Sequence, residues 1–204
     1  MDTRLLAKYG IKCPKTELAR SSEEAKLLAS RIGYPVALKA DSPEVLHKTD
    51  LGGVLLNLRD ASEVESAYSL IVRRFSGKKL RGVLVQQMAG KGAVELILGG
   101  KRDSQFGQMI MLGMGGIYVE VFRDFSLRVC PITESDAEEM LRELRAYPIL
   151  AGARGKKPVD MKALVGAMLA VSRLLEKEGP KEFDINPLMA DESGCVAVDM
   201  RLLK

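Results

Sequence analysis

The order of strand-like and helix-like stretches in this chain changes at Met88, and that change restricts the fold more than any other feature. Before it, apolar runs alternate with helices. The spacing predicts a short helix over residues 3–9, stopped by Gly10. Ser21 and Glu24 form a capping-box pattern ahead of Ala25, Leu27, Leu28, Ala29 and Ile32, and Gly33 ends that helix. Residues 35–40 read as a buried strand, 54–58 as a second and 83–88 as a third, short, apolar and bounded by turn residues. Ser62 and Glu65 repeat the capping pattern and open a helix to about residue 75.

After Met88, strands follow one another directly. Residues 94–98 and 108–112 are joined by Lys101-Arg102-Asp103-Ser104, and 118–122 and 127–130 follow. Two helices come next, 135–145 and 160–178. The second gathers Met161, Leu164, Val165, Met168, Leu169 and Leu175 on one broad face and closes at Gly179-Pro180. Two final strands, 183–188 and 196–201, turn through Asp191-Glu192-Ser193-Gly194. The pattern predicts an α+β architecture of two lobes, residues 1–85 and 86–204, with a cleft at the seam as the natural ligand site.

At 204 residues and 47% hydrophobic content the chain can build a core for each lobe. Its basic residues are scattered, the net charge is only +4 and tryptophan is absent, so neither phosphate tracking nor base stacking along a nucleic acid is supported. No apolar stretch approaches a membrane span, and Met1-Asp2-Thr3-Arg4 lacks the order of a signal peptide. Cys13, Cys130 and Cys195 are odd in number and far apart, which rejects a cysteine zinc site and suits a reducing cytoplasm. A cytoplasmic location and no membrane or nucleic-acid partner are therefore expected.

Three sets of residues could carry chemistry. The only histidine, His47, stands in a polar loop that ends in Gly52-Gly53. A neutral imidazole, with a reference pKa of about 6.5, is a nucleophile that can carry a phosphoryl group, although a lone histidine is more commonly a surface or core residue. Lys39 ends an otherwise apolar strand, either snorkelling outward or presenting an ammonium to phosphates. Asp184 and Asn186 alternate with Phe183 and Ile185, so both oxygens fall on one strand face, and Asp199 on the partner strand can join them. Such donors form either a solvated hairpin face or an oxygen site for Mg²⁺. Gly113, Gly115 and Gly116 permit close backbone approach but match no complete phosphate-loop motif.

Taken together, these segments resemble the ATP-grasp domain of the β subunits of ADP-forming acyl-CoA synthetases, such as acetate–CoA ligase (ADP-forming). The match is carried by Tyr34-Pro35-Val36-Ala37-Leu38-Lys39, Leu46-His47-Lys48-Thr49-Asp50-Leu51-Gly52-Gly53-Val54, Arg102-Asp103-Ser104-Gln105-Phe106-Gly107, Gly113-Met114-Gly115-Gly116-Ile117-Tyr118-Val119-Glu120 and Asp184-Ile185-Asn186-Pro187-Leu188, with Val198-Asp199. The resemblance runs over nearly the whole chain. It implies that Lys39 contacts the nucleotide phosphates, that Gln87 and Met88 meet the adenine edge and that Glu95 bonds the ribose. It further implies that Asn186 and Asp199 hold Mg²⁺, with Asp184 a weaker candidate, that His47 carries the phosphoryl group, and that Glu120 and Arg128 orient or neutralise it. The seam reads Gln86-Gln87-Met88 where many ATP-grasp enzymes have an acid, which leaves the adenine contacts open.

The implied reaction is acyl-CoA + ADP + phosphate ⇌ acid + ATP + CoA. The implied partner is a CoA-binding α subunit with its own phosphohistidine, in an α₂β₂ assembly, and the implied cofactors are ATP or ADP with Mg²⁺. Two other readings are a non-catalytic ATP/ADP-binding regulatory module and an ATP-grasp ligase that works through an acyl phosphate without a phosphohistidine. The acyl substrate and the choice of ADP or GDP are not written in these residues.

Overall fold

A computed structural model of the chain describes residues 3–44, 51–90, 92–116 and 123–204, Arg154 through its backbone alone. The chain forms two compact units, Pro14–Met88 and Met1–Cys13 with Ala89–Lys204. The division near Met88 lies close to the expected seam, but the expected lobe 1–85 differs at its start. Helix α1 (Thr3–Lys8) and the turn after it belong to the later unit. Leu6 and Ile11 are buried in that unit's core, Glu178 accepts from Lys8 Nζ and Tyr9 Oη at 2.7 Å each, and Ala197 N donates to Lys12 O.

The unit Pro14–Met88 is a four-stranded antiparallel sheet under two helices. In chain order it holds β1 (Thr16–Ala19), α2 (Ser22–Ile32), β2 (Val36–Asp41), β3 (Val54–Leu58), α3 (Ala61–Arg74) and β4 (Gly82–Gln87), with the sheet ordered β1-β4-β2-β3. Strand β1 was not expected from the sequence. Ser21 caps α2 as expected, its side chain accepting from Glu24 N at 3.1 Å. The expected Ser62–Glu65 cap of α3 is corrected: Asp60 is the N-cap and accepts from Glu63 N, while Glu63 Oε2 reaches back to Arg59 N. Asp is as good a cap as Ser, and the carboxylate two residues earlier starts the helix sooner.

Val36, Leu38 and Ala40 of β2 pack with Val83 and Val85 under Leu28, Ala29, Val64, Ile71 and Phe75. Their alternate partners Ala37, Lys39, Leu84 and Gln86 share the opposite face. On edge strand β3 the ladder contains a bulge. Val36 pairs with Leu58 and Leu38 with Leu55, so Ala37 alone faces Leu56 and Asn57, and Asn57 takes φ 60°.

The other unit carries β5 (Val94–Asp103), β6 (Gly107–Met114), β7 (Phe125–Val129), α4 (Glu134–Glu143), α5 (Tyr147–Leu150), a 3₁₀ turn (Ala153–Gly155), α6 (Met161–Glu178), β8 (Glu182–Asp191), β9 (Gly194–Ala197) and β10 (Met200–Leu203). Its antiparallel sheet runs β10-β8-β5-β6-β7, with β9 also on β8. The strand expected at 118–122 lies outside the described residues.

One face of this sheet buries Leu96, Leu98, Ile110, Leu112, Phe183 and Ile185 against Met140 and Leu141 of α4 and Leu164, Met168, Val171 and Leu175 of α6. Each such side chain contributes roughly 1.5–3 kcal/mol of hydrophobic stabilisation. Gly100 lets α6 lie directly on the strand, since a Cβ there would meet Met109 O at 2.2 Å and Leu175 Cδ1 at 2.5 Å. Both helices are capped as their sequences require: Thr133 and Asp136 close a reciprocal box at α4, and Asp160 Oδ1 accepts from Ala163 N at α6. Gly179 ends α6 in the left-handed region. Among the described residues no helix is long and apolar enough to cross a membrane.

The expected last strand, 196–201, is two strands separated at Val198-Asp199. Its partner explains the gap. Val198 N donates to Pro187 O, but Pro187 has no N–H to return, so the ladder loses one bond there.

Candidate functional site

His47 and Glu120 lie outside the described residues, but both shoulders of the His47 loop are firmly held. Glu44 Oε2 accepts from Lys79 N at 3.0 Å on the entering side. On the leaving side Arg74 donates to Gly52 O at 2.8 Å, and Ala40 N donates to Gly53 O at 2.7 Å. Gly52 has φ 62°, which favours glycine, and a Cβ on it would sit 2.3 Å from the Arg74 guanidinium and displace that side chain from Gly52 O.

Within the same unit, Lys39 lies on the sheet face away from the helices and is nevertheless buried, 7% exposed. A buried ammonium needs an anionic or polar environment, which marks this face as polar in purpose. Gln87 ends β4, exposed, with its N–H already given to Lys15 O. Gln86, which sequence reasoning passed over, is the buried one: it shares the Lys39 face and donates to Thr16 Oγ1 at 3.1 Å. Strand parity counted back from Lys39 through the β2–β4 register would have found it. Met88 follows, half-buried, at the end of the unit.

In the later unit the backbone places the three oxygen-bearing residues on neighbouring segments. Asn186 N donates to Asp199 O at 3.1 Å, and Asp184 pairs across the ladder with Arg201. A second bulge falls here. Leu96 pairs with Leu188 and Leu98 with Ile185, so Ile97 alone faces Asn186 and Pro187. Asn186 keeps the phase of the strand, exposed beside fully buried Ile185, and the extra residue shifts the alternation only after it, so that Leu188 is the next buried side chain.

Burial pushes the Asp184 carboxyl above the ordinary carboxylate range; Arg201 pulls it back, while the charges of Asp199 and Glu182 raise it further. Asp199 turns Oδ1 onto Met200 N at 2.9 Å. Among the described residues no group of three or more His, Cys, Asp or Glu side chains could hold a metal by itself. An amide oxygen and a carboxylate, with a second carboxylate near, form a sparse hard-donor set. That set suits a divalent cation whose remaining ligands are water and phosphate.

Glu95, second residue of β5, lines a cavity of about 800 Å³ whose described lining belongs to this unit. Gly115 N donates to Glu95 O, and Gly116, at φ 64°, would place a Cβ 3.2 Å from Glu95 Oε2. Asp124, Arg145, Ile149 and Lys156 line other parts of the wall. Arg128 is placed differently from what the resemblance implies. It sits on the helix-covered face of β7, opposite to Asp184, with its guanidinium ion-paired to Glu143 of α4, whose carboxylate also accepts from Ser126. The pair holds Glu143 below the usual carboxylate range, through Arg128 first and Ser126 second. Arg128 therefore fastens α4 to the sheet edge.

Residues 2–203 match the family model of the ATP-grasp domain, which the two α+β units and their antiparallel sheets bear out. In sequence the chain is 46% identical over 204 residues to the β subunit of acetate–CoA ligase (ADP-forming) I of Pyrococcus furiosus, covering 98% of this chain and 88% of that subunit. It is 47% identical over 204 residues to acetate–CoA ligase (ADP-forming) I of Archaeoglobus fulgidus, where it spans 98% of this chain but 30% of the longer protein. Acetyl-coenzyme A synthetase 1 of Ca. Korarchaeum cryptofilum, solved with coenzyme A and Ca-AMPCP, superposes with a TM-score of 0.92 at 43% identity, over 98% of this chain and 90% of that one. The same enzyme solved with Mg-AMPPCP, its phosphohistidine segment pointing towards the nucleotide binding site, superposes at 0.85, over 98% and 89%.

The chain is thus an ATP-grasp protein, and within that class it belongs to the β-subunit family of ADP-forming acetate–CoA ligases. The naming of the Pyrococcus relative as a subunit, and the longer Archaeoglobus chain, show that members of the family work with a further polypeptide part.

Proposed function

We propose that this chain carries the nucleotide half of an ADP-forming acyl-CoA synthetase, and that His47 relays the phosphoryl group to ADP. The observation that supports this most strongly is the 43% identity to an enzyme whose Mg-nucleotide complex has a phosphohistidine segment directed at the nucleotide. This chain has one histidine, between shoulders anchored by Glu44 and Arg74.

In the direction of ATP synthesis, the neutral imidazole of His47 attacks phosphorus on the phosphohistidine of a CoA-binding α partner. One P–N bond forms as the partner's breaks, and the partner imidazole leaves neutral. A terminal oxygen of ADP then attacks the phosphorus on His47. A P–O bond forms, the P–N bond breaks and the imidazole is restored. Lys48, next in sequence, disfavours imidazolium and so keeps the attacking nitrogen's lone pair free. Lys39 neutralises phosphate charge, Gln87 and Met88 meet the adenine edge, and Glu95 bonds the ribose hydroxyls. Asn186 and Asp199 would hold Mg²⁺, which when bound supplies charge neutralisation along the phosphates. An α₂β₂ assembly in the cytoplasm fits this division of labour.

Intact mass after incubation with Mg-ATP tests the proposal. The expected result is a phosphoryl adduct that is acid-labile, base-stable and absent from His47→Ala, which retains nucleotide affinity. No adduct in the presence of the α part and CoA would sink the carrier role and favour a binding module. Turnover by His47→Ala with the α part would favour a ligase that uses an acyl phosphate alone.

A further inference from the structure

We propose that Arg145 and Lys156 form a cationic wall that holds phosphoryl oxygens of the bound nucleotide, with Asp124 as the positioning residue that fixes it. The inference rests on the nucleotide reading above, and four observations carry it.

The cavity that contains Glu95 has a volume of about 800 Å³, enough for a nucleotide. Its described ionisable lining is Glu95 and Asp124 against Arg145 and Lys156. Asp124, though only 8% exposed, is committed to the backbone: Oδ1 accepts from Arg145 N at 2.8 Å and Oδ2 from Ala146 N at 2.9 Å. Its charge is therefore spent on locking the turn after α4 to the start of β7, which leaves two exposed cations and a single exposed acid in the described lining. Finally, the turn at Gly115 and Gly116 leaves room beside Glu95, since neither residue has a Cβ.

A ligand whose ribose meets Glu95 turns its phosphates towards positive charge, not towards more carboxylate. Arg145 and Lys156, which line the same cavity, supply that charge, and Arg145 can do so bidentately. The backbone clamp by Asp124 sets where Arg145 leaves the chain, so it acts on affinity only through Arg145.

The experiment is calorimetric titration of the full chain with Mg-ADP and with adenosine, in wild type, Arg145→Gln, Lys156→Gln, Asp124→Asn and Glu95→Gln. Arg145→Gln and Lys156→Gln are each expected to weaken Mg-ADP by about ten- to hundredfold while adenosine binding stays unchanged. Asp124→Asn is expected to weaken Mg-ADP but not adenosine, and to add no further loss on top of Arg145→Gln. That non-additivity is absent if Asp124 is merely structural. Unchanged Mg-ADP affinity in both cation variants, with Glu95→Gln weakening both ligands, overturns this inference alone. Slower phosphorylation of His47 by the α part with unchanged ADP affinity overturns it too, and assigns the wall to the incoming phosphoryl group. A wild type that binds no Mg-ADP overturns the nucleotide reading and this inference with it.

Discussion

Both sheets contain a bulge with an asparagine in it, and the two bulges do different things. Asn57 interrupts β3, an edge strand, with a left-handed backbone and an exposed side chain. Asn186 interrupts β8, which has neighbours on both sides, and its break is next to Pro187, whose missing N–H opens the ladder towards Asp199. At an edge, an extra residue blunts a row of unpaired backbone groups that could recruit another strand. In a sheet interior the same irregularity interrupts the ladder between two neighbouring strands. The position of a bulge in the sheet, edge or interior, separates the two, although the residue type is the same.

The comparison is most exposed at the metal candidates. Asp199→Ala and Asn186→Ala are each expected to weaken Mg-nucleotide binding by about tenfold or more, the loss of one charge-assisted or ion-bound oxygen, whereas Asn57→Ala leaves it unchanged. Titration with Mg-ADP checks this, and equal effects at Asn57 and Asn186 would erase the distinction. Asn186→Asp keeps an oxygen donor and should retain most of the affinity. Stability runs the other way. Asn57→Ala imposes a left-handed backbone on a residue with a Cβ and no local hydrogen bonding, costing roughly 1 kcal/mol, while Asn57→Gly is neutral or slightly stabilising by thermal melting.

The smallest effect is expected at Asp184. Its carboxyl is raised in the folded protein, so ionisation costs stability above that folded value. The cost is relieved as pH falls through it and is gone below the ordinary carboxylate value of about 3.9. Asp184→Asn should therefore stabilise the metal-free protein at neutral pH, by no more than about 0.5–1 kcal/mol, seen as a raised melting temperature, and change nothing near pH 3. A stabilisation that persists in acid would assign the effect to packing instead.

What the sequence made legible followed from local rules. Ser21, Asp160 and Gly179 mark helix ends through contacts with their own neighbours, and each lies where the pattern puts it. Alternation put Asp184 and Asn186 on one strand face because period two survives as far as Asn186. The bulge was not legible, since it is a relation between Ile97 and two residues about ninety positions away. Strand β1 was missed for a similar reason: Thr-Glu-Leu-Ala has no pattern of its own and becomes a strand by pairing with β4. Gln86 was hidden by its twin, because only the register tells which glutamine faces Lys39. Arg145 and Lys156 reach the cavity from the turn after α4 and the end of the 3₁₀ turn, two segments that no motif announces.

The docking of Leu6 and Ile11 into the later unit has a consequence for how the chain is made. During synthesis helix α1 emerges before the strands β5 and β6 of the unit that receives it, with the whole of Pro14–Met88 made in between. At about 5–20 residues per second the wait is on the order of several seconds. Where that short segment comes to rest is thus decided by chain that is made well after it.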